Sequence, residues 1–381
     1  MSVDIHPVTT ASDLRRFIQL PWHIYRDDPN WVAPLRSDEA KQFDRQRNPF
    51  FDHADARFLL AVDGDRPVGR ISAHIDHLYN EFHQSMTGFF GFFEAIERPE
   101  VADRLFEAAM DWLRQQGTTH VMGPFDYNTN GESGLLVEGF QSPPALMMPY
   151  NPPYYGDLIE RNGFAKAKDL VAYLVQLDGE TFLHEMESLV PRLEKISQRA
   201  LDEGYATRRV NLKDFDAEVE RLREIYNEAW EANWGFVPLT EREFDETARE
   251  LKRVADPSLG VMIEFGDEPV AFGMALPDFN QALRPANGRL FPFGLLKLLW
   301  HMRRIDGMRM MTLGIKAQHR VRGVDALLYL HMIRAAMASP YTWCECSWIL
   351  EDNHRMRQTM ERITGHVYKR YRVYERSLQE P

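Results

Sequence analysis

Apolar residues recur along this chain with two periods, one typical of strands and one typical of helices. The run MRMMTLGI from Met308 predicts a strand, and a basic turn leads from it into helical spacing over 324–338. The apolar residues of that helix share one face: Val324, Leu327, Leu328, Met332 and Ala335. From Tyr205 onward, strands and helices alternate in this way, which predicts an α/β fold whose mixed sheet is covered by helices on both faces.

The chain also contains a repeat. A Gly-Asp-x-Pro turn lies between two apolar runs at Gly64 and again 202 residues later at Gly266, which predicts two β-hairpins. In each half an asparagine precedes a helix-like run and a glycine follows it, as expected for helix caps. The two asparagines are also 202 residues apart, and so are the two glycines. These pairs are Asn151 with Asn353 and Gly163 with Gly365. We therefore expect two structural repeats of about 200 residues, at 1–178 and 205–381, joined by a helical linker at 179–204.

Composition excludes several classes of protein. The formal charge of −12 argues against a nucleic-acid-binding surface. The two cysteines, Cys344 and Cys346, are too few for a structural zinc site or a disulfide framework, so we expect no metal. No run reaches the roughly 18–20 apolar residues of a membrane span, and the N-terminus does not resemble a signal peptide. We expect a cytoplasmic monomer or homodimer.

The basic turn reads Arg320-Val321-Arg322-Gly323-Val324-Asp325. Backbone N–H groups at a helix start can bind an anion, and Lys316 and His319 add positive charge nearby. The turn resembles the pyrophosphate signature of the GNAT superfamily of acyl-CoA-dependent N-acyltransferases, Arg/Gln-x-x-Gly-x-Gly/Ala. Asp325 departs from it and would repel a phosphate. A solvated loop between two core elements is the alternative.

The resemblance covers residues 205–376 and, more weakly, the hairpin and tail of the first half. It implies two tandem acyl-CoA N-acyltransferase (GNAT)-like domains, the first without cofactor binding because its matching segment is acidic. The donor would be acetyl-CoA or another acyl-CoA, with its thioester beside the strand amides of Leu313, Gly314 and Ile315. Asn353 would lie near the cofactor, or cap a helix.

Glu345 lies on an apolar strand, where strand alternation places it on one face with Trp343 and Ser347. It is our candidate for the base that accepts the amine proton, or else a structural partner of an arginine. The family's helix tyrosine, which protonates the departing thiolate, is replaced by Met360. Tyr371 and Tyr374 follow on the last strand, and Tyr374 is our candidate for that role.

Candidate acceptor residues come from two regions. Trp234 and Phe236 line a substrate pocket or close the core. The Pro- and Asn-rich segment of the first half contributes to the acceptor pocket or forms a rigid plug, and its candidates are Tyr127, Asn128, Asn130, Tyr150 and Tyr154. The segment from Phe291 predicts a membrane-surface helix, a helix between the lobes, or a pocket for a long acyl chain.

The resulting hypothesis is transfer of an acyl group, acetyl in the first instance, from acyl-CoA to the amine of a small molecule or peptide. A non-catalytic tandem scaffold that binds a ligand or a protein is the alternative, favoured by Asp325 and Met360. A donor carried on an acyl carrier or tRNA is a third hypothesis.

Overall fold

The computed structural model describes residues 3–364 and 366–379, so Gly365 of the predicted repeat lies outside the described residues. The chain divides into two compact units. The first comprises Met1–Leu170, Leu283–Leu298 and Lys369–Pro381; the second comprises Val171–Ala282 and Leu299–Tyr368. The predicted boundaries at 178 and 205 separate the two sequence repeats, whereas these units are defined by their compactness. The predicted boundaries therefore stay a prediction.

Thirteen strands and thirteen α-helices follow one another in the described part of the chain. Up to the second hairpin they are β1 (Val3–Pro7), α1 (Ala11–Gln19), α2 (Pro21–Ile24), α3 (Arg36–Gln42), β2 (Ala54–Asp63), β3 (Arg66–Asp76), α4 (His77–His83), β4 (Thr87–Ala95), α5 (Pro99–Gln115), β5 (His120–Gly123), β6 (Leu135–Glu138), α6 (Tyr155–Arg161), β7 (Ala165–Gln176), α7 (Glu180–Asp202), β8 (Tyr205–Arg209), α8 (Phe215–Trp230) and α9 (Glu241–Leu251). The remainder are β9 (Gly260–Phe265), β10 (Glu268–Pro277), α10 (Asn280–Leu283), α11 (Gly294–Met302), β11 (Gly307–Ile315), α12 (Val324–Ala338), β12 (Trp343–Leu350), α13 (His354–Thr364) and β13 (Lys369–Ser377).

The sheet of the first unit has the order β1-β2-β3-β4-β5-β13, with β6 also paired to β13. Only β4 and β5 of this series are parallel. Helix α5 packs on this sheet, because its apolar residues recur every three or four positions: Val101, Leu105, Ala109 and Leu113. The last strand of the chain therefore completes the sheet of the first unit, where Tyr374 is paired with Gly123.

The sheet of the second unit has the order β12-β11-β10-β9-β8, with β11 and β12 parallel. Alternation along β9 divides its side chains between two faces: Val261 and Ile263 pack with α7 and α12, whereas Met262 packs with α8. The predicted α/β fold with helices on both faces of a mixed sheet is confirmed. Helix α12 spans the predicted residues 324–338.

Both predicted hairpins are present, and they turn at the predicted glycines. Gly64 has a φ of +60° and Gly266 a φ of +62°, a backbone region that glycine enters without steric cost. Asn151 does not cap a helix, since α6 begins at Tyr155. The Asn151 amide instead accepts from the Leu136 N–H at 2.7 Å and donates to the Leu136 carbonyl, which fixes β6. The predicted helix cap at Asn151 is therefore wrong. An asparagine side chain can hydrogen-bond the backbone of a strand as well as that of a helix end.

Candidate active site

The parallel strands β11 and β12 are joined over only part of their length. The ladder runs from Gly307 opposite Trp343 to Met310 opposite Cys346. Beyond it, β11 continues to Ile315 and β12 to Leu350. The two strands therefore separate at their carboxyl ends, the end at which open α/β sheets bind ligands. Glu345 is opposite Arg309, one residue before the ladder ends.

Glu345 is the centre of a buried polar network at that point. Its side chain is 0% exposed. Ser347 donates to Oε1 at 2.7 Å, and the Tyr368 hydroxyl donates to Oε2. Arg309 Nε donates to Ser347 Oγ at 3.0 Å and lies 4.0 Å from Glu345 Oε1. The expected sharing of one face by Glu345 and Ser347 agrees with their hydrogen bond, and Arg309 contacts the same serine.

Tyr368 is the residue that the sequence interpretation missed. It is half-buried, whereas Glu345, Ser347 and Arg309 are buried, so Tyr368 is the most exposed member of this network. Met360, which the sequence predicts at the family's tyrosine position, packs in an apolar cluster with Tyr173 and Ile349. No motif marks Tyr368, which immediately precedes β13. In the sequence, only its position directly before the last strand could have indicated Tyr368 as a replacement for the missing helix tyrosine.

Tyr374, the predicted catalytic tyrosine, belongs to the first unit. Its side chain is in the core of that unit, and its hydroxyl donates to Glu160 Oε1 at 3.2 Å. Burial, together with the charge of Glu160, raises the pKa of Tyr374. Glu345 belongs to the second unit. The catalytic assignment of Tyr374 thus stays a prediction, and its surroundings are those of a core residue.

The basic turn carries less free positive charge than its sequence indicates. The Lys316 ammonium is buried and contacts Glu224, Glu228 at 3.7 Å and Glu268 at 3.1 Å. Burial by itself lowers the pKa of Lys316, but hydrogen bonds to Glu224 and Glu268 outweigh it and raise the pKa. His319 is also buried, and its Nδ1 is 2.8 Å from the Tyr205 hydroxyl.

Two exposed arginines remain in the turn. Arg320 donates to the carbonyls of Ile315 at 3.2 Å and Ala229 at 2.7 Å, so it braces the loop. Arg322 is exposed. Between them, Val321 has a φ of +67° and is 80% exposed. A β-branched residue in this left-handed region is strained, and such strain is often found at ligand-binding loops.

Gly323 begins α12 with a φ of +85°. A Cβ at this position would be 2.8 Å from the Ile196 carbonyl oxygen of α7. Glycine is thus required by the backbone conformation and by the close approach of α7. This packing role exists whether or not the turn holds a phosphate, and Val324 beside it is fully buried in the core.

Asp325 is paired in the structure. Arg355 Nη2 donates to Asp325 Oδ2 at 2.9 Å, which offsets the negative charge that counted against a phosphate. Asn353 accepts from the Met356 N–H at 3.2 Å and so caps α13. This bond agrees with the capping alternative, and a cofactor contact of Asn353 stays a prediction.

The strand residues predicted beside the thioester lie past the ladder between β11 and β12. Leu313, Gly314 and Ile315 pair on one edge with Gly273, Phe272 and Ala271 of β10. A Cβ on Gly314 would be 2.3 Å from the Trp230 ring, so the indole covers this strand on the α8 face. The other edge of β11 faces β12, and here it lies beyond the β11–β12 ladder that ends next to Glu345. An acyl-CoA on this strand would bind along that edge.

The predicted acceptor residues belong to both units, and each set has its own surroundings. Phe236 is buried and Trp234 half-buried in the loop between α8 and α9. In the first unit each of the polar candidates has a protein partner. Tyr127 donates to the Gln42 carbonyl, Asn128 donates to Asp76, Asn130 donates its N–H to Asn128, Tyr150 donates to Asp28 and Tyr154 donates to the Ala95 carbonyl. These contacts are those of a rigid plug, and a substrate role for any of the residues stays a prediction.

In the first unit, the region that corresponds to the candidate site is filled by the unit's own side chains. Strand β4, followed by α5 and the parallel β5, occupies the place that β11 has in the second unit. Its end is covered by tyrosines: the Ala95 N–H donates to the Tyr155 hydroxyl at 2.9 Å, and Tyr154 donates to the Ala95 carbonyl at 2.8 Å. Both polar groups of that residue are therefore satisfied internally, which agrees with a first copy that lacks a cofactor.

Comparison with known proteins gives the fold and the family. No family model matches the chain. A tandem GNAT protein from the clavulanic acid biosynthesis pathway has a TM-score of 0.59 at 12% identity and covers 100% of both chains. A GCN5-related N-acetyltransferase from Sphaerobacter thermophilus has a TM-score of 0.51 at 12% identity, covering 99% of this chain and 96% of that one. These likenesses show the tandem GNAT fold.

Two sequence relatives are far more similar. Bacterial ceramide synthase of Caulobacter vibrioides is 38% identical over 99% of this chain and 98% of its own. The chain belongs to its family. Protein YghO of Escherichia coli is another member, 38% identical over 96% of this chain and 93% of its own. The expected resemblance to tandem GNAT proteins is confirmed.

Within the part of the chain that the structure describes, no helix is long and apolar enough to cross a membrane. The same residues include no cluster of three or more histidine, cysteine or acidic side chains that could hold a metal ion.

Proposed function

We propose that this protein is an N-acyltransferase that transfers an acyl group from an acyl-CoA to an amine. The observation that carries the proposal is the buried Glu345 carboxylate, held by Ser347 and Tyr368 where β11 and β12 separate. A carboxylate hydrogen-bonded to a phenol can relay a proton. The non-catalytic scaffold is less favoured, because a purely structural Glu345 has no need of a half-buried tyrosine.

The reaction forms one bond and breaks one. The amine nitrogen attacks the thioester carbonyl, the N–C bond forms, the C–S bond breaks, and CoA leaves as its thiolate. Because Glu345 is fully buried, the amine proton passes to the Tyr368 oxygen while the phenol proton moves to Glu345. The proton then returns along the same hydrogen bond to protonate the thiolate. The arginine at position 309 holds Ser347, which orients the carboxylate.

The relative named bacterial ceramide synthase supports a more specific substrate class. Ceramide is the amide of a fatty acid and a long-chain amino alcohol. We therefore propose a long-chain acyl-CoA as donor and a long-chain amino alcohol as acceptor, in preference to the acetyl group and small amine that the sequence suggested. The donor would extend over the turn from Arg320 to Asp325.

The first test is product formation. The protein is incubated with acyl-CoAs from acetyl to palmitoyl and with sphinganine, spermidine or a peptide amine, and the amide is measured by mass spectrometry together with free CoA. The expected result is an N-acyl amino alcohol formed only with the longer donors. Absence of any amide with all donors, while acyl-CoA is bound, would favour the scaffold instead.

A second test locates the donor. Gly323→Glu cannot do so, because the close approach of α7 makes any side chain at that position disruptive. Arg322→Glu changes an exposed residue and keeps the packing. Acyl-CoA at 100 times its Kd should stabilise the native protein by about 2.7 kcal/mol. The variant should lose most of that stabilisation, and the exposed Arg242→Glu outside the turn should keep it.

A further inference from the structure

The segment from Arg289 to Arg304 carries apolar side chains that the protein itself does not cover. Phe291 is 87% exposed, Leu296 is 64% exposed and Trp300 is 59% exposed. Others in the segment are also exposed: Leu290, Phe293, Leu295, Leu299 and Met302. Exposed apolar residues are ordinary when scattered singly, whereas a contiguous group marks a binding surface. We refer to these eight residues as the apolar helix patch.

The orientation of α11 is the reverse of that of an ordinary surface helix. Gly294 and Leu298, four residues apart, form its narrow buried line. At 100° per residue, Leu296 is on the opposite side of the helix, with Leu299 and Trp300 beside it. An amphipathic helix normally turns its apolar face toward the core and its charged face toward water. Here the outward face is apolar, so something other than this core covers it.

The charged side chains within the segment have one sign. Arg289, Lys297, Arg303 and Arg304 are exposed, and no acidic residue occurs from 289 to 304, although the whole chain has a formal charge of −12. The Arg304 guanidinium lies 4.7 Å from the centre of the Trp300 ring. Tryptophan and arginine side by side are typical of the boundary between lipid headgroups and acyl chains.

We propose that the apolar helix patch inserts into the surface of an anionic lipid bilayer, with α11 lying in the plane of the membrane. A second copy of this chain fits less well. A symmetric dimer through the patch would place the same four cations of each copy together, and like charges oppose such an interface. An anionic bilayer takes up both features, since acyl chains receive the apolar side chains and headgroups receive the cations.

The inference rests on the exposed segment and not on the proposed reaction. It nevertheless has a consequence for that reaction, because a lipid amine resides in a bilayer. A patch that holds the protein at the membrane surface would give it access to such an acceptor without release of the lipid into water.

The experiment is sedimentation of the full-length protein with vesicles of phosphatidylcholine alone and of phosphatidylcholine mixed with phosphatidylglycerol. The test variant is Phe291→Ser/Leu296→Ser/Trp300→Ser, all at exposed positions. The matched control is Met86→Ser/Leu201→Ser/Met337→Ser, which removes three exposed apolar side chains elsewhere. Circular dichroism and thermal unfolding establish that both variants are folded.

The native protein and the control should bind the anionic vesicles, and the test variant should bind at least about tenfold more weakly. Binding should also weaken as salt shortens the Debye length from about 10 Å at 0.1 M to about 3 Å at 1 M. Equal vesicle binding by the native protein and the test variant would overturn the proposal. So would a lack of vesicle binding with a dimer, seen in analytical ultracentrifugation, that the test variant abolishes.

Discussion

Acidification should destabilise the first unit through one buried histidine. His74 on β3 is fully buried, and its Nε2 donates to the Tyr127 carbonyl at 2.6 Å. Burial lowers the pKa of His74 to about 4, against the hydrogen bond to Tyr127 and the charge of Asp76, which both raise it. In the unfolded chain the pKa is about 6.5. The unfolded state therefore binds more protons between these two values.

The magnitude follows from the difference in pKa. The sign is that of a base whose folded pKa is depressed: stability is intact above the unfolded pKa and falls as the pH drops toward 4. The difference between a folded pKa of about 4 and an unfolded pKa of about 6.5, at 1.36 kcal/mol per pH unit, corresponds to about 3 kcal/mol lost by pH 4. His74→Gln should remove this dependence, because a neutral amide can donate to the Tyr127 carbonyl without taking up a proton.

The assay is urea unfolding at pH 7 and pH 4.5, followed by hydrogen exchange of the β3 amides, since two units need not unfold together. The pKa values of Glu94 and Asp126 are raised, chiefly by burial, and oppose the effect. Only the difference between the native protein and His74→Gln is therefore diagnostic. The exposed His184→Gln controls for removal of one titrating group. The same pH dependence in the native protein and His74→Gln would refute the reasoning.

Three further variants test the ion pairing and the backbone packing of the first unit. Asp169→Asn should cost about 3 kcal/mol at pH 7, because Arg372 contacts this buried carboxylate at 2.9 Å. Burial raises the pKa of Asp169, but the contacts with Arg372 and Lys166 together outweigh it and lower the pKa, so equilibrium unfolding should show the cost disappearing as the pH falls below that pKa. Gly91→Ala should cost about 3 kcal/mol or more by thermal unfolding, because its Cβ would be 1.7 Å from the Phe125 carbonyl oxygen. Gly64→Ala meets open space and should cost about 1 kcal/mol; equal costs at the two glycines would contradict this account.

Local patterns were sufficient to predict much of the fold. Helix α12 and both hairpin glycines were predictable because helical periodicity and turn geometry act within a few residues. The strand Lys369–Ser377 was recognised as a strand, but its pairing in the first unit was not, because partners far apart in sequence leave no local signal. Asn151 was misassigned for the same reason, since its partner Leu136 is on another element.

The candidate site was predictable in part. Alternation placed Glu345 and Ser347 on one face, which agrees with their hydrogen bond. Tyr368 and Arg309 reach Glu345 from other elements, and only the tertiary fold brings them there. Lys316 shows the opposite failure: it was counted as free charge in the turn, yet three carboxylates from elsewhere in the fold surround it.

The most direct test of the proposed function is the rate of amide formation by Tyr368→Phe at saturating acyl-CoA, compared with the native protein and with Tyr329→Phe. Loss of a proton relay should lower the rate about a hundredfold or more. Acyl-CoA binding, measured by thermal shift on the same samples, should be unchanged. Glu345→Gln should be impaired to a similar degree, since the two groups act as one unit. A Tyr368→Phe protein that forms amide at the native rate would contradict the proposed mechanism.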